Sequence, residues 1–277
     1  MVTFDSFESE QLPNGNGYSR LRTDKEKGAS MLTQPSRPPP MTQQPRPANQ
    51  ILSALPHEEF ERLRPKLHEV TLKLADVIFQ PEETIESVYF VNSGIVSWLA
   101  TLEDGNTVEA GVIGREGLAG VAVLLGAKST PNQAIIQAEV SASRIASKDL
   151  TAEFRRNGEL NRMILRFVHF MFTQVAQTAA CNRLHTLDQR LARWLLMSHD
   201  RTDGDAFTMT QDFLSRMLGV RRAGVSVAAT SLKQKGLVDY HRGDIHILNR
   251  AGLEDASCEC YEIVTQEYAS NSDHPSN

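Results

Sequence analysis

Cysteine is scarce in this chain: Cys181, Cys258 and Cys260 are the only three among 277 residues. Two of them nearly touch in sequence, so they cannot lay down the disulfide framework of a small secreted domain, and a reducing, cytoplasmic setting is the expectation. No run reaches the roughly 18 apolar residues that a membrane span needs, so no membrane partner is expected. The opening MVTFDSFESEQLPNGNG carries acids and has no apolar centre, unlike a secretory signal. A phosphate-binding loop and a nucleophile–base pair are missing as well, so neither an enzyme nor a catalytic residue is expected. Cys258 and Cys260 offer two thiolates, which do not complete a tetrahedral zinc site, and helical spacing would point them to different faces. His169, His185, His199, His241 and His246 are scattered without ligand spacing, and His57 and His68 are isolated. The expectation is therefore no metal and a structural role for the cysteines, with redox or metal chemistry as lesser alternatives.

What is present is an ordinary globular composition, 40% hydrophobic, with a formal net charge of −5 that leaves nucleic-acid binding undecided. Seven of the twelve prolines fall in residues 1–50, including PSRPPP and TQQPRP. Such a stretch has little apolar surface to offset the ordering of its backbone, so a disordered tail is expected, with a proline-rich docking site as the alternative. Apolar positions 51, 52, 55, 60, 63 and 67 predict two short helices broken at Pro56. Residues 69–146 turn to β-branched and aromatic residues, with period-two alternation at Val88 and Phe90 and at Val96 and Trp98, and with glycine-containing turns between. Many short strands at this spacing predict a small barrel or jelly roll. The stretch 114–132 interrupts them as a loop with a helical turn, where a barrel could hold a ligand. Ser147 is expected to cap a short helix.

A long helix is predicted from about Glu159 to Asn182. Leu160, Ile164, Phe167, Met171 and Val175 form a stripe close to a heptad seam, and a second copy of the chain is expected to cover it as a homodimer. An amphipathic helix follows over Leu187 to His199. Residues 207–250 then read as helix, turn, helix and hairpin. Thr210 caps the first helix, Gly219 makes the turn, Val225, Ala229 and Leu232 line the second helix inside, Gly236 ends it, and Arg242-Gly243 joins the hairpin strands. The segment holds seven Lys/Arg against three acids, a local +4. Paired arginines at the start of the second helix suit a guanine edge, which a planar guanidinium grips bidentately. The expected DNA-contacting residues are Thr208, Thr210, Gln211, Arg221, Arg222, Ser226, Lys233 and Arg242, the last as a phosphate clamp at the hairpin tip.

With these motifs in view, LDQRLARWLLMSHDR followed by MTQDFLSRMLGVRRAGVSVAATSLKQKGLVDYHRGDIHI resembles the Crp/Fnr family of bacterial regulators, over roughly residues 51–262. The resemblance implies an α+β architecture: a cyclic-nucleotide-binding-type β-roll (51–156), a dimerisation helix (157–184), a winged helix-turn-helix (185–265) and a flexible tail (266–277). It implies a homodimeric transcription regulator bound to palindromic double-stranded DNA, with RNA polymerase as a further partner if it activates. The family usually reads its site with an arginine, a glutamate beside it and a second arginine. Arg222 matches the first, but Ala223 and Val227 stand at the other two places, so a different operator is implied. In the sensor half Gly120 is followed by Val121 where the family has Gly-Glu, and Pro131-Asn132-Gln133-Ala134 stands where it has Arg-Ser. Without a cation for the phosphate, cyclic AMP is not expected to bind. Arg115 and Glu116 are expected in a salt-bridged surface loop. The family's oxygen sensors hold an iron–sulfur cluster on N-terminal cysteines, and the first 180 residues here have none, so that cofactor is not expected either. The alternative reading is a small-molecule- or partner-binding sensor module whose DNA binding is weak or conditional.

Overall fold

In the computed structural model of the chain, residues 46–241 and 243–272 are described. The expected tail up to residue 45, Arg242 and residues 273–277 lie outside them. The fold starts slightly ahead of the expected boundary. Asn49 is buried, donates from Nδ2 to the carbonyls of Val91 and Gly117 at 2.8 Å each, and caps α1 (Gln50–Ala54) by accepting from the Leu52 N–H. Pro56 then separates α1 from α2 (His57–Leu63), as the spacing predicts.

The strands β1 (His68–Leu72), β2 (Val77–Phe79), β3 (Ser87–Thr101), β4 (Thr107–Ile113), β5 (Leu118–Ala119) and β6 (Asn132–Ala146) make one antiparallel sheet. Its order is β1-β6-β3-β4, with β2 also on β6 and β5 also on β3. The two 15-residue strands β3 and β6 lose register repeatedly between Val91 and Val96. Such bulges bend a strand and increase its twist, which lets the long pair wrap around Phe90, Ile95, Ile136 and Ile145 at the centre of the roll. Gly94 sits at the bend with φ +84°, where a Cβ would lie 1.9 Å from the Glu139 carbonyl oxygen, so only glycine allows the strands this close.

Helix α3 (Ser147–Phe154) begins one residue earlier than predicted. Its N-cap is Ala146, and the Ser147 hydroxyl instead donates to the Ile85 carbonyl at 2.6 Å. Helix α4 (Glu159–Leu184) follows, its first N–H groups accepted by the Glu59 carboxylate at 2.8 and 2.9 Å.

The face of α4 expected to meet a second chain faces inward. Leu160, Ile164, Phe167 and Met171 are buried in their own subunit against the roll. The Phe167 ring covers Gly117, where a Cβ would meet it at 2.0 Å, and the Gln174 side chain holds both backbone groups of Val112. The stripe left open is a different one: Leu165, Phe172 (70% exposed) and Ala179, with half-buried Val168 and Val175 between them. Their spacing is three, four, three, four, which is the true heptad. Of the expected set only Val175 borders it. α4 is apolar on both sides, and the near-heptad reading selected the one that its own subunit covers.

The second half comprises α5 (Leu187–His199), β7 (Ala206–Thr208), α6 (Gln211–Leu218), α7 (Arg222–Gln234), β8 (Val238–His241), β9 (Asp244–Ile247), α8 (Arg250–Ala256) and α9 (Glu259–Ser272). Thr186 and Gln189 close a capping box at the start of α5. Residues 266–272, expected as tail, continue α9 instead. That helix packs along α4, with Tyr268 edge-on to Phe170 at 5.9 Å and His169 Nδ1 2.9 Å from Glu267. Cys258 precedes α9 rather than lying on it, so helical spacing does not separate it from Cys260. Their sulfurs turn the same way, toward Cys181 and His185 at the end of α4.

The roll and the second half meet through buried polar groups. Glu116 and Arg201, both buried, form an ion pair at 2.8 Å, so the expected surface pairing of this loop is an internal one; Arg115 reaches Asp203 at 3.3 Å. Nearby, Glu109 accepts from Trp194 Nε1 at 2.8 Å and lies 2.7 Å from Ser97 Oγ, which also lies 2.7 Å from Gln137 Oε1. One hydroxyl has one proton to give, so a protonated Glu109 donating to Ser97, with Ser97 donating to Gln137, satisfies all three. Burial pushes the Glu109 carboxyl up to about 7 in agreement. A carboxyl raised in the folded state costs stability as pH climbs from the unfolded value to the folded one, here from about 4.5 to 7, and the cost stays constant above. Glu109→Gln keeps the acceptor and the donor without the charge. Thermal denaturation should show it stabilised at pH 8 and little changed at pH 5; an equal shift at both would mean that Glu109 does not titrate in this window.

Candidate nucleic-acid interface

Thr210 has an extended backbone and its hydroxyl accepts from the Phe213 N–H at 3.1 Å, which sets where α6 begins. Phe213, Leu214, Met217 and Leu218 bury its inner face. Gly219, at φ +61°, ends it in the left-handed region that glycine enters without strain. Three residues later the chain starts α7, whose Val225, Ala228, Ala229 and Leu232 pack inward. Gly236, also left-handed at φ +71°, turns the chain into β8. The hairpin of β8 and β9 gains a third strand that the sequence does not announce: β7 pairs with β9, giving the order β7-β9-β8.

The N-terminus of α7 is open. Its N-cap is Arg221, whose side chain makes no capping bond; the Gly224 N–H turns back to the Arg221 carbonyl at 2.9 Å, and the N–H groups of Arg222 and Ala223 ahead of it are the ones a helix start leaves for an outside acceptor. Arg221, Arg222 and Ala223 are exposed there. Thr210, Gln211, Arg222, Tyr240, His241 and Gly243 line a groove of about 400 Å³ between the start of α6, the start of α7 and the hairpin. Tyr240 is fixed in its wall by donating to the Met209 carbonyl at 3.0 Å. Burial raises its phenol above the ordinary value, and the Arg222 charge nearby opposes the rise.

Three of the expected residues therefore line one groove, Thr210, Gln211 and Arg222, and Arg221 is exposed next to Arg222 at the start of α7. Ser226 follows one turn along α7, half-buried. Thr208 lies on β7, and its hydroxyl is engaged by Asp244 at 2.9 Å. Lys233 stands at the far end of α7 and is paired with Asp239 at 2.6 Å, which also holds the Asp239 carboxyl below its usual range. It is outside the cluster, because the last turn of α7 lies at the opposite end of the helix from Arg221 and Arg222. Arg242 lies outside the described residues. Tyr240 and His241 belong to the groove and were not expected; their place on the strand leading into the hairpin was the available signal.

A second concavity lies in the roll. It is a cavity of about 150 Å³ lined by Phe79, Trp98, Gly120, Val121, Phe167 and Phe172, among others, and none of its lining side chains is charged. It borders the open stripe of α4 through Phe172 and Val175.

Comparison with known proteins places both regions. Residues 69–157 match the cyclic nucleotide-binding domain and residues 189–256 the Crp-like helix-turn-helix domain. No curated protein matches the chain. Similar solved structures include FixK2 from Bradyrhizobium japonicum, with 18% identity, 69% of this chain and 98% of that one covered, and a TM-score of 0.60. A transcriptional regulator of the Crp/Fnr family from Eubacterium rectale shares 15% identity over 73% of this chain and 94% of its own, with a TM-score of 0.60. The c-di-GMP-responsive regulator CLP of Xanthomonas campestris shares 17% over 69% and 99%, with a TM-score of 0.57.

The cap at Thr210 gives a direct check on this geometry. Thr210→Ala should cost about 1 kcal/mol of stability in denaturant unfolding, and Thr210→Ser should restore most of it; no loss on alanine would displace the start of α6.

Proposed function

We propose that this chain, which belongs to the Crp/Fnr family of transcription regulators, binds DNA as a homodimer and reads a palindromic site with the N-terminal end of α7. The observation that carries this reading is the uncapped start of α7, with Arg221 and Arg222 exposed beside a polar groove that α6 and the hairpin complete. The open N–H groups and Gln211 suit phosphates, and an arginine suits guanine O6 and N7. Ala223 and Val227 lie one turn apart on the same exposed side, and Val227 is 71% exposed. An exposed apolar pair at this place suits thymine methyl groups rather than a hydrogen-bonded base edge.

The dimer is formed along Leu165, Val168, Phe172, Val175 and Ala179. Paired α7 helices about 34 Å apart then meet successive turns of the groove. The uncharged cavity of the roll offers no cation to a cyclic phosphate, so cyclic AMP is not its ligand on this reading. A signal there would act through Phe172 and Val175, which belong both to the cavity wall and to the dimer stripe. No cofactor is needed for the DNA contacts, and the place of action is the cytoplasm, where the DNA is.

Selection of bound sequences from a random duplex library by the purified full chain tests the reading. An enriched palindrome is expected, with guanine and thymine in each half; none would favour a sensor module whose DNA binding depends on an effector. On the selected site, Arg222→Ala should weaken binding by about 1–3 kcal/mol per half-site and relax the guanine position. Replacing thymine with uracil removes only the methyl group; it should weaken the native protein more than it weakens Val227→Ala. Phe172→Glu should halve the mass measured by sedimentation while leaving the fold intact, and an unchanged dimer would rule out this stripe.

A further inference from the structure

Cys181 and His185 stand one helical turn apart on the last turn of α4, where the His185 N–H bonds to the Cys181 carbonyl at 3.2 Å. A side-chain pair at this spacing shares one face. Cys258 and Cys260 arrive from the start of α9, 77 and 75 residues from their respective neighbours Cys181 and His185. Cys181 Sγ lies 3.5 Å from Cys258 Sγ, and Cys260 Sγ lies 3.6 Å from His185 Nδ1. One ligand atom from each of the four residues fits within 4.8 Å of all the others. We propose that Cys181, His185, Cys258 and Cys260 form a site for a single tetrahedral zinc ion.

The dimensions favour one ion. Zinc bonds of about 2.3 Å to sulfur and about 2.0 Å to nitrogen set tetrahedral edges of about 3.5 to 3.8 Å, so four atoms already this close need only small shifts. An iron–sulfur cluster places its terminal thiolates further apart. Three cysteine sulfurs and an imidazole form a closed donor set of the kind that zinc takes in structural sites.

The surroundings suit a metal rather than a packed trio of thiols. His185 presents Nδ1 to the sulfurs, and its Nε2 is 3.3 Å from the Glu259 carboxylate. A metal-bound imidazole commonly gives its other N–H to such a carboxylate, which fixes the ring and its tautomer. Three thiolates around a divalent ion leave one negative charge. Arg193, buried beside them on α5, carries the compensating charge, and its Nε has no hydrogen-bond partner in the described structure. The ion would tie the end of α4 to the start of α9, at the joint where the chain passes into α5 and the DNA-binding half.

Cobalt titration of the reduced, chelator-treated full chain tests this. One equivalent is expected to give the intense visible bands of tetrahedral cobalt with thiolate-to-cobalt charge transfer, and zinc should bleach them. The zinc-loaded chain should hold its three thiols unreactive toward a thiol reagent until a chelator is added. Glu259→Gln should bind cobalt about 10- to 100-fold more weakly. The triple change Cys181→Ser, Cys258→Ser, Cys260→Ser should abolish the spectrum. Absence of tetrahedral bands in the native chain, or equal bands in the triple variant, would overturn the proposal. So would a reduced chain that takes up neither metal and instead forms a Cys181–Cys258 disulfide on mild oxidation, which would make the cluster a thiol switch.

Discussion

A helix that is apolar on several sides cannot bury all of them within a compact subunit, and α4, with the roll on one side and α9 on another, settles most of this architecture by that constraint. The side that faces inward carries Leu160, Ile164, Phe167 and Met171. Each side chain of this size contributes about 1.5–3 kcal/mol when taken from water, so the roll is held to α4 by a contact that needs no second chain. Gln174 adds hydrogen bonds to both backbone groups of Val112 at the edge of β4. With its inner side spent on the roll, the helix has only its outer stripe to offer, and Phe172 is left largely in water there. An apolar row of this kind is unfavourable when exposed and has the heptad spacing that parallel helices cover best.

The joint between the roll and the DNA-binding half is built on another principle. It uses buried polar groups: Arg201 with Glu116, Trp194 and Ser97 with Glu109, and Gln137 with Ser198 at 2.8 Å. Burying such groups costs nearly as much as their bonding returns, while misaligning them costs a great deal. The joint therefore fixes a relative orientation without adding much net stability. Such an arrangement can be exchanged for another in which the same groups meet water or different partners, whereas a large apolar contact resists separation. The two halves are thus joined more strictly than strongly.

How much of this could be read beforehand depended on whether a signal was local. Thr210, Gly219 and Gly236 were legible because capping and left-handed turns are properties of single residues and their immediate neighbours. The β-roll was legible as a class, because alternation and turn residues recur along one stretch. The side of α4 was not, since both stripes fit helical spacing and only the roll's position, set by strands earlier in the chain, chooses between them. The cysteine cluster was hidden for the same reason: His185 looks isolated until α9 folds back along α4. The missed strand β7 is three residues long and is defined by its partner β9 rather than by its own composition. Lys233 stands apart from the arginines because a helix presents its two ends to different surroundings, which a charge total over a segment does not resolve.

The composition of α7 links the recognition end back to the dimer stripe. Arg222 can supply one bidentate base contact, worth about 1–3 kcal/mol of discrimination. Ala223 and Val227 replace the two polar readers that the resemblance leads one to expect, and contacts to a methyl group are the weaker kind. A single α7 would therefore separate its site from random duplex by only a few contacts, while its open N-terminus and the arginines would hold any phosphate backbone nearly as well. Specific sites generally need a margin of about 4–10 kcal/mol over non-specific DNA. Two half-sites read together add their discrimination, provided that the subunits are rigidly paired. On this reading a sparse recognition helix is workable because α4 keeps an outer stripe for a second copy, and weakening that stripe would cost specificity before it cost affinity for DNA as such.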